Sequence, residues 1–305
     1  MASNRNWKKL LRKHGQLLLP SAWDALTAKL IQQAGFPAYQ IGGFAIDGAC
    51  FGFPDMDVNR LGEKSREVAN ILRACDLPVL VDCDDGYGDE KNVAHTVHTY
   101  DALGAAAIFI EDQKAPKRCG HMAGKEVISA DDMVRKLRVA AAARPDKDRL
   151  FLLARTDAIE PEGLDSALRR GEQYLKAGID GIYFDGVQDE KQLRRIGDEF
   201  KGEPLATTIL ERGGKTPWLP PKHLRELGFS MVLYPTSLLF RQTKAIQRGL
   251  EDLLAGRPLP KEESVHLLEF EKIVDIAYWK AVEQSALPLP HRILQGINNI
   301  FRRVA

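Results

Sequence analysis

Leu77-Pro78-Val79-Leu80-Val81-Asp82-Cys83-Asp84 decides the fold once it is read with the next two segments, a helical stretch over residues 91–103 and the apolar run Ala106-Ala107-Ile108-Phe109-Ile110-Glu111-Asp112. Both short runs are apolar at successive positions, as strands buried on both faces are. The segment between them has a 3.6-residue period. Strand, helix, strand in this order implies a parallel pair joined by a crossover.

The same alternation extends in both directions. Strand-like runs cover residues 17–20, 38–43, 77–84, 106–112, 150–157, 181–186, 205–210 and 231–235. Helical periodicity covers residues 22–34, 63–74, 91–103, 130–143, 164–177, 190–200, 222–227 and 237–254. Gly35, Gly104, Gly178 and Gly228 come after four of these helices, where a left-handed C-cap is wanted. Eight strands alternating with eight helices at this length predict a closed (β/α)8 barrel. An open doubly wound sheet would carry a glycine-rich turn after its first strand, and here that turn reads Pro20-Ser21-Ala22-Trp23-Asp24.

Past residue 255 the alternation stops. Residues 263–284 and 291–303 read as two more helices, joined by Leu287-Pro288-Leu289-Pro290. The expected organisation is a catalytic barrel over residues 1–255 and a helical extension over 256–305, part of the same domain and available for oligomer contacts.

The 305 residues carry 43 Lys plus Arg against 42 Asp plus Glu, a net charge of +1. That balance gives no reason to expect nucleic acid or an anionic membrane as partner. No apolar run approaches the ~18 residues of a membrane span. Lys8, Lys9, Arg12 and Lys13 precede an apolar run too short for a signal peptide, and the amphipathic start Trp7–Leu11 is expected to pack on the barrel. Cys50, Cys75, Cys83 and Cys119 include no CxxC pair, which favours a reducing, cytoplasmic setting.

A barrel keeps its chemistry at the C-terminal ends of its strands. Asp82 and Asp84 end the third run two residues apart, so both carboxylates face one way. Glu111 and Asp112 end the fourth, Asp157 the fifth, Asp185 the sixth and Thr208 the seventh. Acids on adjacent strand ends suit Mg²⁺ or Mn²⁺, hard cations that take few protein oxygens and complete their shell with water or substrate. Asp112 and Asp157 read equally well as helix caps or turn formers. The loop after the fourth run, Lys114-Ala115-Pro116-Lys117-Arg118-Cys119-Gly120-His121-Met122-Ala123-Gly124-Lys125, sets cations and an imidazole beside a thiol and has the length of a lid. Gly213-Gly214-Lys215-Thr216 is not a P-loop, because Ile209 stands where the leading glycine is needed.

Lys117-Arg118-Cys119-Gly120-His121 resembles the signature loop of the isocitrate lyase/phosphoenolpyruvate mutase superfamily. Pro20–Ala25, Phe53-Pro54-Asp55, Asp82-x-Asp84, Ile110–Gln113, Ala154–Ala158, Gly213–Pro217 and Leu233-Tyr234-Pro235 accompany it in order. The similarity runs from about residue 16 to 250 and is greatest to the short members: 2-methylisocitrate lyases, 2,3-dimethylmalate lyases and carboxyphosphonoenolpyruvate mutases. It implies a barrel in a homotetramer with C-terminal helices swapped between subunits, acting on a small anionic carboxylate. It also implies Mg²⁺ at Asp82 and Asp84, with Asp55 and Glu111 reaching it through water and substrate. Arg155 would grip a substrate carboxylate. Cys119 would protonate the departing carbanion, with Lys117, Arg118 and His121 tuning the thiol and binding the second carboxylate, and Gly120 beside them in the substrate site.

The chain departs from that pattern where substrate is held. Gln40-Ile41-Gly42-Gly43-Phe44-Ala45 replaces a segment that in relatives begins with Tyr or His and carries two more hydroxyls. Asp185 stands for a glutamate, and Thr208 (or Thr207) for an asparagine. The expected activity is carbon–carbon cleavage of a 2-hydroxy di- or tricarboxylate to a 2-oxo acid and a carboxylic acid. Phosphonate mutase chemistry and oxaloacetate hydrolysis or decarboxylation are the alternatives. The altered contacts argue against 2-methylisocitrate itself, since lost hydrogen-bond partners cost discrimination on the order of 10⁴-fold. Loss of the tyrosine leaves the base for the substrate hydroxyl open between Asp185 and a metal-bound hydroxide.

Overall fold

The computed structural model describes residues 6–120 and 122–285. Its strands are β1 (Leu17–Pro20), β2 (Tyr39–Ile41), β3 (Val79–Asp82), β4 (Ala107–Glu111), β5 (Phe151–Thr156), β6 (Gly181–Phe184), β7 (Leu205–Thr208) and β8 (Phe229–Tyr234). They pair in parallel in the order β1-β8-β7-β6-β5-β4-β3-β2. A parallel bridge between Ser21 and Gln40 joins the two ends of this sheet, with Ala22 N donating to Gln40 O at 2.9 Å. The expected (β/α)8 barrel is the fold that forms.

Helices Ala25–Gln33, Leu61–Ala74, Glu90–Leu103, Ala130–Ala143, Leu164–Leu175, Glu190–Glu199, Pro221–Glu226 and Ser237–Leu254 lie within a few residues of their expected bounds. Their starts are chemically marked: Asp24, Asp89, Ser129 and Asp189 each accept a first-turn backbone N–H. Short turns were not legible, among them Ile159–Glu162 after β5 and Lys261–Glu263. After β2 the helical turn Gly43–Ile46 runs into a π-helical turn, Asp47–Phe51, that stops at Gly52 with φ 67°.

Inward-facing residues of the strands fill the barrel, among them Leu17, Leu19, Leu80, Phe109, Leu153, Ala206, Met231 and Leu233. Trp7, from the first helix Trp7–His14, joins this inner layer at 1% exposure, its indole N–H directed at Met231 Sδ 3.4 Å away. Lys8 on the same helix pairs with Asp180, just ahead of β6, at 2.7 Å. The amphipathic start therefore closes the N-terminal end of the barrel. Outward-facing strand residues meet the helices in a second layer that includes Val68, Val97, Tyr100, Leu137, Tyr174 and Ile196.

One compact unit ends at Lys244 and another begins at Ala245, within helix Ser237–Leu254. In the second unit the expected helix over 263–284 is two helices, Leu267–Ile273 and Ile276–Ser285. The break falls at Val274 and Asp275, where Asp275 takes φ 57°. The helix expected over 291–303 lies outside the described residues. No described helix is long and apolar enough to cross a membrane.

Candidate active site

Period-two alternation aims Asp82 on β3, Phe109 and Glu111 on β4, Arg155 on β5, Tyr183 on β6 and Thr208 on β7 into the C-terminal mouth. All of these but Glu111 line a small cavity there. Gln40, Gly42, Gly43, Phe44, Asp55, Asp82, Phe109, Cys119, Gly120, Arg155, Tyr183, Asp185 and Thr208 line it, with Leu210, Leu233, Pro235 and Thr236 completing one wall. Gly42, Gly43, Phe44, Asp55, Cys119, Gly120, Arg155, Asp185 and Thr208 thus converge on one space. Thr208, not Thr207, is the cavity residue of β7.

Asp82 is half-buried at the end of β3. Its oxygens accept the backbone N–H groups of Gly43 and Asp84, each at 3.0 Å. Burial and the neighbouring Asp84 charge push its carboxyl above the usual range. Asp84 is different. Burial alone would raise it too, but Lys117 and Lys64 hold it below the usual range, with ammonium groups 2.6 Å away on either side. Lys117 also pairs with Asp55. Lys64 lies 3.3 Å from Asp47 and is 1% exposed. Burial would depress the Lys64 ammonium; Asp84 and Asp47 outweigh that and raise it to about 12.

Arg155 is held by three carboxylates. Asp157 takes Nε at 2.8 Å and Nη2 at 2.9 Å, Asp185 takes Nη2 at 3.1 Å, and Glu111 lies 3.2 Å from Nε. Its guanidinium also lies 5.2 Å from the Tyr183 ring centroid and 5.9 Å from that of Phe109. Glu111 is buried, its Oε1 makes no hydrogen bond, and desolvation carries its carboxyl well above the usual range despite Arg155. Asp112 faces away from the cavity and accepts from Thr156, Asp157 N and Tyr174. It holds the β4 and β5 ends in place.

The loop after β4 is pinned at its base by the antiparallel bridge Gln113↔Val127. Its tip is packed down on the mouth. Cys119 N donates to Asp55 O at 3.0 Å, and Lys125 Nζ donates to Gly120 O and to Asp157, the latter at 3.0 Å. A Cβ on Gly120 would stand 1.7 Å from Asp185 Oδ2 and 2.3 Å from Arg155 Nη2, so only glycine permits this approach.

Two expectations for the loop are placed differently, and a third is not placed. The Arg118 side chain is exposed and borders a surface hollow with Gln113, Lys114 and Glu126, while Gln113 clamps its backbone. It does not reach the cavity. Lys117 is buried beneath the cavity and committed to Asp55 and Asp84, so its charge serves those acids and not a substrate carboxylate. His121 lies outside the described residues.

Lys64, Tyr183 and Lys125 belong to the site without being marked as such in the sequence. Tyr183 could have been found, because it shares the inward face of β6 with Asp185, two residues on. Lys64 gives no such sign in a helix that looks amphipathic and solvated.

The donor set fits a hard divalent cation. Half-buried Asp82 and buried Glu111 both have raised pKa, and Glu111 Oε1 has no hydrogen-bond partner. Asp84 is already neutralised by its lysines and is the weaker candidate for direct ligation. Among the described residues no three His, Cys, Asp or Glu side chains form a ready cage. Such a cation would complete its shell with water and substrate oxygens.

Comparison with known proteins agrees with this geometry. The chain is 37% identical to the 2,3-dimethylmalate lyase of Eubacterium barkeri over 239 residues, 78% of this chain and 82% of that one. It superposes on an oxaloacetate acetylhydrolase solved with 3,3-difluorooxalacetate at a TM-score of 0.88 and 25% identity, covering 93% of this chain and 97% of the other. A phosphonopyruvate hydrolase solved with oxalate and Mg²⁺ gives a TM-score of 0.83 and 25% identity, covering 94% and 100%. The model of the phosphoenolpyruvate phosphomutase family matches residues 7–254, and the chain belongs to that family, within the phosphoenolpyruvate mutase/isocitrate lyase superfamily.

Proposed function

We propose that the protein is a divalent-metal-dependent carbon–carbon lyase that cleaves a small 2-hydroxy di- or tricarboxylate into a 2-oxo acid and a carboxylic acid. The observation that carries this reading is the meeting, under one packed-down loop, of the Cys119 thiol, the Arg155 guanidinium and the Asp82 carboxylate with its raised pKa around one cavity. Mg²⁺ is the proposed cation, consistent with the relative solved with Mg²⁺. When bound at Asp82, with Glu111 and Asp55 reached through water and substrate, it would polarise the carboxylate and 2-oxygen of the half that leaves as a 2-oxo acid.

The chain's own residues do the rest. Arg155, its Nε and Nη2 fork taken by Asp157, offers the cavity the Nη1 side of its guanidinium and a fixed positive charge. Cys119 Sγ gives its proton to the carbanion of the other half. The loop excludes water, so that these charges act in a medium of low dielectric. Gly42, Gly43 and Phe44 shape the wall opposite Arg155. The cavity's apolar side, Phe44 packed edge-on against Phe240 at 6.0 Å, together with Leu210 and Leu233, suits an alkyl-bearing substrate.

The test is 2-oxo acid release by purified protein with Mg²⁺, and with EDTA, from 2-methylisocitrate, isocitrate, 2,3-dimethylmalate and citramalate. Metal-dependent pyruvate or glyoxylate from one of them supports the lyase. A second reading, hydrolysis of a 2-oxo dicarboxylate, is favoured by the likeness to the oxaloacetate acetylhydrolase. Silence on the hydroxy acids with turnover of oxaloacetate would establish it instead. The exposed Leu267, Leu268, Tyr278 and Trp279 support assembly with further copies of the chain, a tetramer being the expected state, which light scattering reads. The proposed setting is the cytoplasm.

A further inference from the structure

Cleaving a 2-hydroxy acid requires a group that takes the hydroxyl proton, and the tyrosine that relatives carry at the end of β2 is Gln40 here. Gln40 is occupied with the barrel seam, donating from Nε2 to Leu19 O at 3.2 Å. A different tyrosine hydroxyl enters the cavity from β6. Tyr183 Oη donates to Asp185 Oδ1 at 3.0 Å and is hydrogen-bonded to the Thr208 hydroxyl. All three residues line the cavity that holds Cys119 and Arg155.

We propose that Tyr183 is the catalytic residue that receives the substrate hydroxyl proton and relays its own phenolic proton to Asp185. The inference rests on the lyase reading and adds its missing base. With Tyr183 donating to Asp185 and accepting from Thr208, one lone pair on the phenolic oxygen remains for a proton from the cavity. The substrate O–H bond breaks, an O–H bond forms on Tyr183, and the former Tyr183 proton moves to Asp185 Oδ1. The electron pair left on the 2-oxygen closes the carbonyl. The pair of the breaking C–C bond goes to the departing carbon, which takes the Cys119 proton. Exchange with solvent then returns a proton from Asp185 to the thiolate.

The shorter Asp185, one methylene less than the glutamate of relatives, ends within hydrogen-bond distance of Tyr183 and of Arg155 at once. Arg155 divides its charge among Asp157, Glu111 and Asp185. The phenol itself stays protonated between turnovers, since burial and the Asp185 charge push it well above its ordinary value.

The experiment compares wild type with Tyr183→Phe, Asp185→Asn and the double variant, using the hydroxy acid that wild type turns over with Mg²⁺. Circular dichroism and oxalate binding serve as checks that fold and site survive. Each single variant should lose about 10²- to 10³-fold in kcat with KM and oxalate affinity nearly unchanged, within the range for general base catalysis. The double variant should be no slower than the worse single, as for residues acting in one step. A Tyr183→Phe enzyme within about threefold of wild-type kcat, a change confined to KM, or multiplicative losses would overturn the relay alone. A wild type that releases no 2-oxo acid from any hydroxy acid overturns the lyase reading and the relay with it. Should Tyr183→Phe misfold, Thr208→Val supplies the same test, with an expected kcat loss of about tenfold at constant KM.

Discussion

The α-carbon of Gly120 rests against Asp185 so closely that a methyl group there would lie 1.7 Å from Oδ2. The contact joins the loop after β4 to the end of β6, and Lys125 locks it by donating to the Gly120 carbonyl. Gly120→Ala should therefore hold the loop off the mouth. Turnover should fall by about 10²-fold, the cost of about a 1 Å misplacement, while the melting temperature stays near wild type because the clash is confined to a surface loop. Thiol alkylation reads the loop directly: Cys119 should react faster in this variant, and equal rates would refute the packed-down geometry in solution.

Metal should stabilise the protein more at alkaline than at acidic pH. Asp82 and Glu111 have raised pKa values in the fold, so the native state binds protons that the unfolded chain releases. Stability without metal should then fall as pH rises above the ordinary carboxylate range and through the raised folded values. A bound divalent cation favours the ionised carboxylates and reverses that slope. The Mg²⁺-induced rise in melting temperature should be larger at pH 8 than at pH 5.5, and absent in Asp82→Ala. A shift independent of pH would contradict the assignment.

Lys64→Met leaves Asp47 buried without its cation and Asp84 with one lysine in place of two. Breaking a buried pair in this way costs about 3–5 kcal/mol. Urea unfolding measures it, and Asp47→Asn in the same chain should recover part of the loss.

Cys119→Ser should retain fold, Mg²⁺ binding and oxalate binding and lose about 10²- to 10⁴-fold in kcat, the range of a positioned general acid. Near-normal turnover would remove the thiol as proton donor.

Arg118→Ala should change kcat/KM by less than about threefold, since the side chain is exposed and outside the cavity. A loss of 10²-fold or more, with KM rising, would place that guanidinium on substrate.

The barrel is legible because most strands are apolar at successive positions and several helices have marked starts, at Asp24, Asp89, Ser129 and Asp189; the expected bounds of β1 match Leu17–Pro20. The mouth is legible through the rule that a barrel's chemistry sits at its strand ends, which brings Asp82, Arg155 and Asp185 together; the alternation expected to set Asp84 beside Asp82 fails, because Asp84 lies past the end of β3 with φ 47° and pairs with Lys64 and Lys117. What escaped has physical reasons. Lys64 reaches the site from a helix whose two arginines, Arg66 and Arg73, face water, and its burial is set by Asp84 and Asp47 being where they are. Arg118 sits in a loop without periodicity, so its neighbours Lys117 and Cys119 point inward with no rule to say that it points out. The seam role of Gln40 depends on which strands meet at closure, which no local pattern encodes.

Trp7 seated on Met231 has a consequence for traffic. With the floor plugged, traffic among the described residues is left to the C-terminal mouth, where Gly120 meets Asp185. On the proposed cleavage, substrate and both products share that mouth, and the products leave in turn. One motion of one loop thereby governs admission, the dry interval of reaction and discharge, so viscosity or a stiffer loop base at Gln113 and Val127 should slow the cycle without touching any reacting group.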